Sequence, residues 1–161
     1  MATKMRQTNA PNRIPMADRL RVGITVAEWN SDITENLFQA AFDTLVILGV
    51  SPENITRSNV PGSFELIYGS KCMLNSNVDA VIAIGSVIRG ETSHFDFVCQ
   101  AVSFGLAELN AKEKTPVIFC VLTDDTLQQA QDRSGGKLGN KGSEAAEAAV
   151  RMGLLKKANF D

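Results

Sequence analysis

The chain has 161 residues, of which 44% are hydrophobic and 21% charged, enough for one globular domain with one core and too short for two. Sixteen basic against eighteen acidic residues leave a formal charge of −2 with no dense Lys/Arg block, which argues against nucleic acid or an anionic membrane as partner. Three cysteines, Cys72, Cys99 and Cys120, are odd in number and lack C-x-x-C spacing, so they read as reduced thiols in a cytoplasmic protein, and no apolar run reaches the ~18 residues of a membrane span.

Residues 1–17 hold Lys4, Arg6 and Arg13 and no acid. This is a faint echo of a transit peptide, but a flexible N-terminal arm or an oligomer contact is the simpler expectation, with a single domain over residues 18–161. Leu20–Ala27 is a short β-branched run of the kind buried on both faces of a parallel sheet. Asp32 and Glu35 have the form of a capping box, Ile33, Leu37, Ala40, Ala41, Leu45 and Leu48 follow at helical spacing, and Gly49 stops the helix.

Asn54–Val60 reads as a less apolar, edge-type strand, and Pro61-Gly62 turns the chain into a helix over about residues 64–75. Asp79–Val87 is the clearest central strand. Ser93 is placed to cap a helix carrying Phe95, Val98, Val102, Leu106 and Leu109, and Pro116 admits a fourth strand over Val117–Leu122. Two helices remain, one after Asp125 and one from about Ser143 to Lys156, separated by a glycine-rich loop, Ser134–Gly142. Alternating strands and helices with right-handed crossovers predict an α/β fold, a three-layer αβα sandwich around a four-stranded parallel sheet. Its ligand crevice belongs beyond the carboxyl ends of the strands.

The unusual polar clusters all follow predicted strands. Trp29-Asn30 comes after the first, where an indole can stack on a flat heterocycle or merely cover the end of the core, and Asn30 can be turn chemistry. Ser63-Phe64-Glu65 follows the second; Glu65 can accept hydrogen bonds from a polyol or simply favour the helix dipole. Val87-Ile88-Arg89-Gly90-Glu91-Thr92-Ser93-His94 joins the central strand to a long helix, and free N–H groups at a helix start suit a phosphate, although no Walker motif is present. His94, the single histidine, can be structural or can carry a proton near neutral pH. Phe119, near the end of the fourth strand, is grouped with Gln129, Asp132, Arg133 and Lys141; Arg133 can clamp a phosphate or be a solvated helix-end residue, and Lys141 a second anion or carbonyl contact or an ordinary loop lysine.

Taken in order, W-N, V-P-G-S-F-E-L, G-S-V-I-R-G-E-T-S-H-F-D-F-V, P-V-I-F-C-V-L-T and D-R-S-G-G-K-L-G-N-K-G closely resemble the lumazine synthase family from about Arg21 to Met152. The resemblance implies a flavodoxin-like fold and condensation of 5-amino-6-(D-ribitylamino)uracil with 3,4-dihydroxy-2-butanone 4-phosphate to 6,7-dimethyl-8-ribityllumazine, phosphate and water, the penultimate step of riboflavin biosynthesis. It implies no cofactor and no metal. Trp29, with Asn30 beside it, takes the aromatic position that stacks on the pyrimidine; Ser63, Phe64 and Glu65 line the ribityl chain; Val87 and Ile88 offer backbone groups to the uracil; Phe119 and Lys141 approach the heterocycle. Gly90, Glu91, Thr92 and Arg133 hold the phosphate, Arg133 arriving from a neighbouring chain, and His94 transfers protons.

Trp29 stands where phenylalanine is frequent, Ile67 where proline is usual and Cys120 where glycine is, and none of these changes removes a reactive group. The resemblance further implies a homopentamer with sites between subunits, and riboflavin synthase as a candidate partner. The short loop from Gly135 to Gly142 permits a 60-subunit shell of twelve pentamers, whereas Pro11 and Pro15 disfavour the N-terminal strand pairing between neighbours. A flavin or pterin carrier, or a shell protein without catalysis, is the alternative on the same fold, and an archaeal-type riboflavin synthase is a rival enzyme.

Overall fold

The computed structural model describes residues 12–160. Four parallel strands, β1 (Val22–Ala27), β2 (Ile55–Val60), β3 (Ala80–Ile88) and β4 (Val117–Asp124), form one sheet in the order β2-β1-β3-β4. Between them run α1 (Ser31–Leu48), α2 (Leu66–Leu74) and α3 (His94–Lys112), followed by α4 (Leu127–Arg133) and α5 (Lys141–Phe160). The expected three-layer α/β architecture is therefore present, with β2 at an edge as its weaker apolar pattern predicts.

Two apolar layers hold the sheet. On one face Ile24, Val26, Ile82 and Ile84 pack with Ile33, Leu37 and Leu45 of α1 and with Ala146, Ala149 and Val150 of α5. On the other, Val81 and Ala83 pack with Leu66 of α2 and Val102, Leu106 and Leu109 of α3. Every residue of β1 is buried, so its near-continuous apolar run is what a strand covered on both faces requires. The small residues of α5 let it lie close against α1. Gly49 closes α1 at φ 111°, a left-handed conformation that only glycine adopts without strain, and its N–H reaches the carbonyls of Leu45 and Val46.

Four local expectations change. The N-cap of α1 is Asn30, not Asp32, and Glu35 turns away from the helix start to pair with Arg57 of β2. Asn30 sits at φ 57°, a region that asparagine tolerates better than most residues. Ser93 occupies the N-cap of α3 but its side chain makes no capping bond; instead Thr92 Oγ1 accepts the His94 N–H at 3.4 Å. The loop over residues 134–142 contains a small antiparallel hairpin, β5 (Ser134–Gly136) and β6 (Gly139–Asn140), which glycine-rich letters without alternation do not announce. Finally, α5 begins at Lys141 because Asn140 Oδ1 accepts the Gly142 N–H at 2.8 Å, while Asn140 Nδ2 donates to the Asn36 carbonyl of α1 at 3.1 Å.

Of the arm expected over residues 1–17, residues 1–11 lie outside the described residues. The remainder is docked: the Ile14 N–H donates to the Leu48 carbonyl at 2.8 Å and Ala17 is fully buried, so packing begins ahead of residue 18. Among the described residues no helix is long and apolar enough to cross a membrane.

Candidate active site

The strand order reverses between β1 and β3, and a cavity of about 660 Å³ opens there beyond the carboxyl ends of the strands. Its lining joins three of the predicted clusters: Trp29 and Asn30, then Ser63, Phe64 and Glu65, then Val87, Ile88 and His94. Ser86, Phe97, Val98 and Ala101 complete it, and none of these four was singled out from the sequence as a site residue. Residues 94, 97, 98 and 101 share one face of α3, so the spacing from His94 is the signal that points to them.

Local chemistry explains how the walls are held. Asn30 Nδ2 donates to the Ser86 carbonyl at 2.9 Å, tying the loop after β1 to the end of β3. Glu65 accepts the Gly62 N–H at 3.0 Å, which steadies the turn that follows β2. A Cβ at Gly62 would stand 2.6 Å from the Trp29 ring, so the indole lies against bare backbone. Ser63 is buried at the cavity floor, whereas Trp29, Phe64 and Phe97 are 67%, 54% and 69% exposed. Large aromatic faces left in water mark a surface that gains free energy when a flat ligand or another chain covers it.

Between β3 and α3, Gly90, Glu91, Thr92 and Ser93 form an open loop, and a Cβ at Gly90 would meet nothing within 4 Å. The start of this 19-residue helix brings its dipole and free N–H groups to the mouth of the cavity. Arg89 braces the loop through two carboxylates. Its Nε donates to Asp125 at 2.7 Å, its amino groups reach Asp96 at 3.1 and 3.3 Å, and its guanidinium lies 4.1 Å from the Phe95 ring centre. Asp96 first, then Asp125, hold it charged above the usual arginine range.

The fourth cluster does not join the first three. Phe119, Arg133 and Lys141 line a separate cavity of about 410 Å³ along the outer edge of β4 and α5. Phe119 is the third residue of β4, opposite Ala83, and so lies near the start of its strand and not near its end as expected. It is 45% exposed because β4 has no neighbour on that side. Lys141 Nζ is engaged by Glu144 at 2.7 and 2.8 Å. Gln129 and Asp132 contact neither cavity: Gln129 Oε1 accepts the Asp125 N–H, and Asp132 pairs with Lys137. Cys120, which also lines this second cavity, is held in its thiol form: burial and then Glu144 push it up to about 12 against the pull of Lys141. Among the described residues no group of three or more His, Cys, Asp or Glu side chains is clustered for a metal.

A parallel sheet of this order, with an aromatic-lined crevice at its switch point and a helix start and a histidine beside it, defines a flavodoxin-like α/β protein with a cavity sized for a small molecule. The family model of 6,7-dimethyl-8-ribityllumazine synthase matches residues 19–157, and the chain belongs to that family. It is 58% identical over 148 residues to the 6,7-dimethyl-8-ribityllumazine synthase of Christiangramia forsetii, covering 91% of this chain and 88% of that protein. The enzyme of the same name from Flavobacterium johnsoniae is 58% identical over 90% of this chain and 77% of its own length, and that of Porphyromonas gingivalis 52% identical over 89% and 90%.

Proposed function

We propose that this chain condenses 5-amino-6-(D-ribitylamino)uracil with 3,4-dihydroxy-2-butanone 4-phosphate, releasing 6,7-dimethyl-8-ribityllumazine, phosphate and water. The family match supports the reaction, and the observation that carries the site is the convergence of Trp29, Glu65, Val87 and His94 on one cavity. Trp29 stacks on the pyrimidine, with Asn30 fixing the loop; Val87 and Ile88 offer main-chain groups to the uracil edge; Ser63, Phe64 and Glu65 line the ribityl chain. The N–H groups of Gly90, Glu91 and Thr92 take the phosphate. His94, one turn away, carries protons as the amine and ketone form a Schiff base, phosphate is eliminated, and the ring closes. Aligning two reactants supplies most of the remaining help, so the residues require no cofactor.

Arg133, Phe119 and Lys141 complete this reading only across a subunit boundary. In one chain they face a different cavity from His94, and that separation is what a ring assembly, with each site shared by two neighbours, requires. The exposed Trp29, Phe64 and Phe97 supply apolar surface for such contacts. The assembly in this reading is the homopentamer that the family resemblance implies, with a shell of pentamers permitted by the short loop over residues 134–142. Incubating the purified protein with both substrates and following lumazine fluorescence tests the activity. Product above the rate without protein is expected; its absence, with lumazine still bound, supports a carrier instead.

A further inference from the structure

Asp124 ends β4, and its side chain is 8% exposed. Its Oδ2 is buried with no hydrogen-bond partner, and so is Nε of Arg133, one helix further along the chain. The two groups stand close without bonding: Arg133 Nε lies 3.8 Å from Asp124 Oδ1. The oxygen without a partner is Oδ2 and the one nearest Arg133 is Oδ1, so the two complementary groups face one another unbonded, an uncommon state in a folded protein that a side-chain adjustment bringing the Nε–H within bonding reach of the carboxylate relieves. An arginine bound by a carboxylate through Nε keeps its two terminal amino groups free in a fixed plane, the geometry that grips phosphate in two-pronged fashion.

The other charges nearby have partners of their own. Lys141 and Glu144 line the same cavity from α5 but bind one another, and Asp125 points away to Arg89. Burial raises the Asp124 carboxyl above the usual aspartate range, with Arg133 drawing it back down. A carboxylate close to an anion site ordinarily repels the anion. Its burial beside Arg133 is explained if it acts on the arginine and not on the ligand.

We propose that Asp124 is a positioning residue for the keto-phosphate: it accepts the Arg133 Nε–H and aims the guanidinium at the phosphate of a site completed by the neighbouring chain. This rests on Arg133 being the phosphate contact. The Asp124 carbonyl, which accepts the Arg89 N–H at 3.0 Å, is kept in any substitution, so only the side chain is tested.

The experiment measures inhibition by inorganic phosphate and the KM of each substrate for the assembled enzyme, its Asp124→Ala and Asp124→Asn variants, and Arg133→Ala. Asp124→Ala is expected to weaken phosphate and keto-phosphate binding roughly tenfold while leaving the KM for the ribitylaminouracil within about twofold. Asp124→Asn, which keeps an acceptor oxygen, is expected to restore most of the loss. In an Arg133→Ala background Asp124→Ala should add nothing. Tighter phosphate binding in Asp124→Ala would show that the carboxylate only repels the anion, and equal losses for both substrates would show a general structural role; either result overturns the proposal. If Arg133→Ala leaves phosphate inhibition unchanged, the phosphate assignment itself fails; if it weakens inhibition and Asp124→Ala does not, only the positioning role fails.

Discussion

The roles proposed for His94 and Arg133 are different kinds of work, and kinetics can separate them. A proton carrier acts in the transition state, so His94→Ala is expected to lower kcat by roughly two orders of magnitude with a small change in KM. A phosphate clamp acts on the bound substrate as well, so Arg133→Ala should chiefly raise the KM for the keto-phosphate. Equal effects on both parameters in both variants would remove this division. Glu91 is exposed and its carboxylate makes no bond among the described residues, so Glu91→Ala should leave turnover within about threefold, the loop N–H being unaltered. At this scale the sequence marks chemically distinctive side chains well: Trp29 and His94 follow β1 and β3 and line one cavity, whereas the Ser93 hydroxyl does not make the expected cap. Phe97, Val98 and Ala101 escaped because an apolar residue on a helix reads alike whether it faces a core or a crevice.

The elements themselves were legible where burial is uniform. β1 and β3 are covered on both faces, so unbroken β-branched runs identify them, and Gly49 stops α1 because no other residue takes its backbone angle cheaply. Ends settled by distant partners were not legible. Glu35 looks like the second half of a capping box until Arg57, 22 residues on, claims it. Asp79, leading into β3, is a similar case: it is 2% exposed, accepts the Arg21 N–H at 2.8 Å and pairs with Lys156 and Lys157 at 3.2 and 3.1 Å, locking α5 to the sheet. Burial works to raise its carboxyl, but the Arg21 N–H, then Lys157 and Lys156, outweigh it and hold it below the usual value of 3.8. A carboxyl lowered in the folded state stabilises the fold above its unfolded pKa and loses that contribution as pH falls through the folded one. Asp79→Asn is therefore expected to cost about 2 kcal/mol near neutral pH, read from urea unfolding, and the gap from the parent should close as pH drops below 3.8. A difference independent of pH would mean that shape, and not charge, is what Asp79 contributes.

For the whole molecule, the decisive feature is that the residues proposed for one site line two separate cavities of a single chain, His94 in one and Arg133 in the other. No single-chain pattern announces this, because both halves follow the same strand-loop-helix grammar and only their placement across the sheet keeps them apart. If neighbouring chains share each site, two damaged chains can repair one another. His94→Ala and Arg133→Ala subunits, each weakly active alone at low keto-phosphate, are expected to regain activity when co-assembled. In a ring of randomly mixed subunits about a quarter of the interfaces place an intact His94 half against an intact Arg133 half, which sets the ceiling for recovery at about a quarter of the parent rate. Assemblies mixed without subunit exchange provide the baseline, and native mass measurement confirms that both kinds share one ring. Activity that stays at the sum of the two separate variants would place His94 and Arg133 in the service of one chain's own ligand, and the ring arrangement of the site would have to be abandoned.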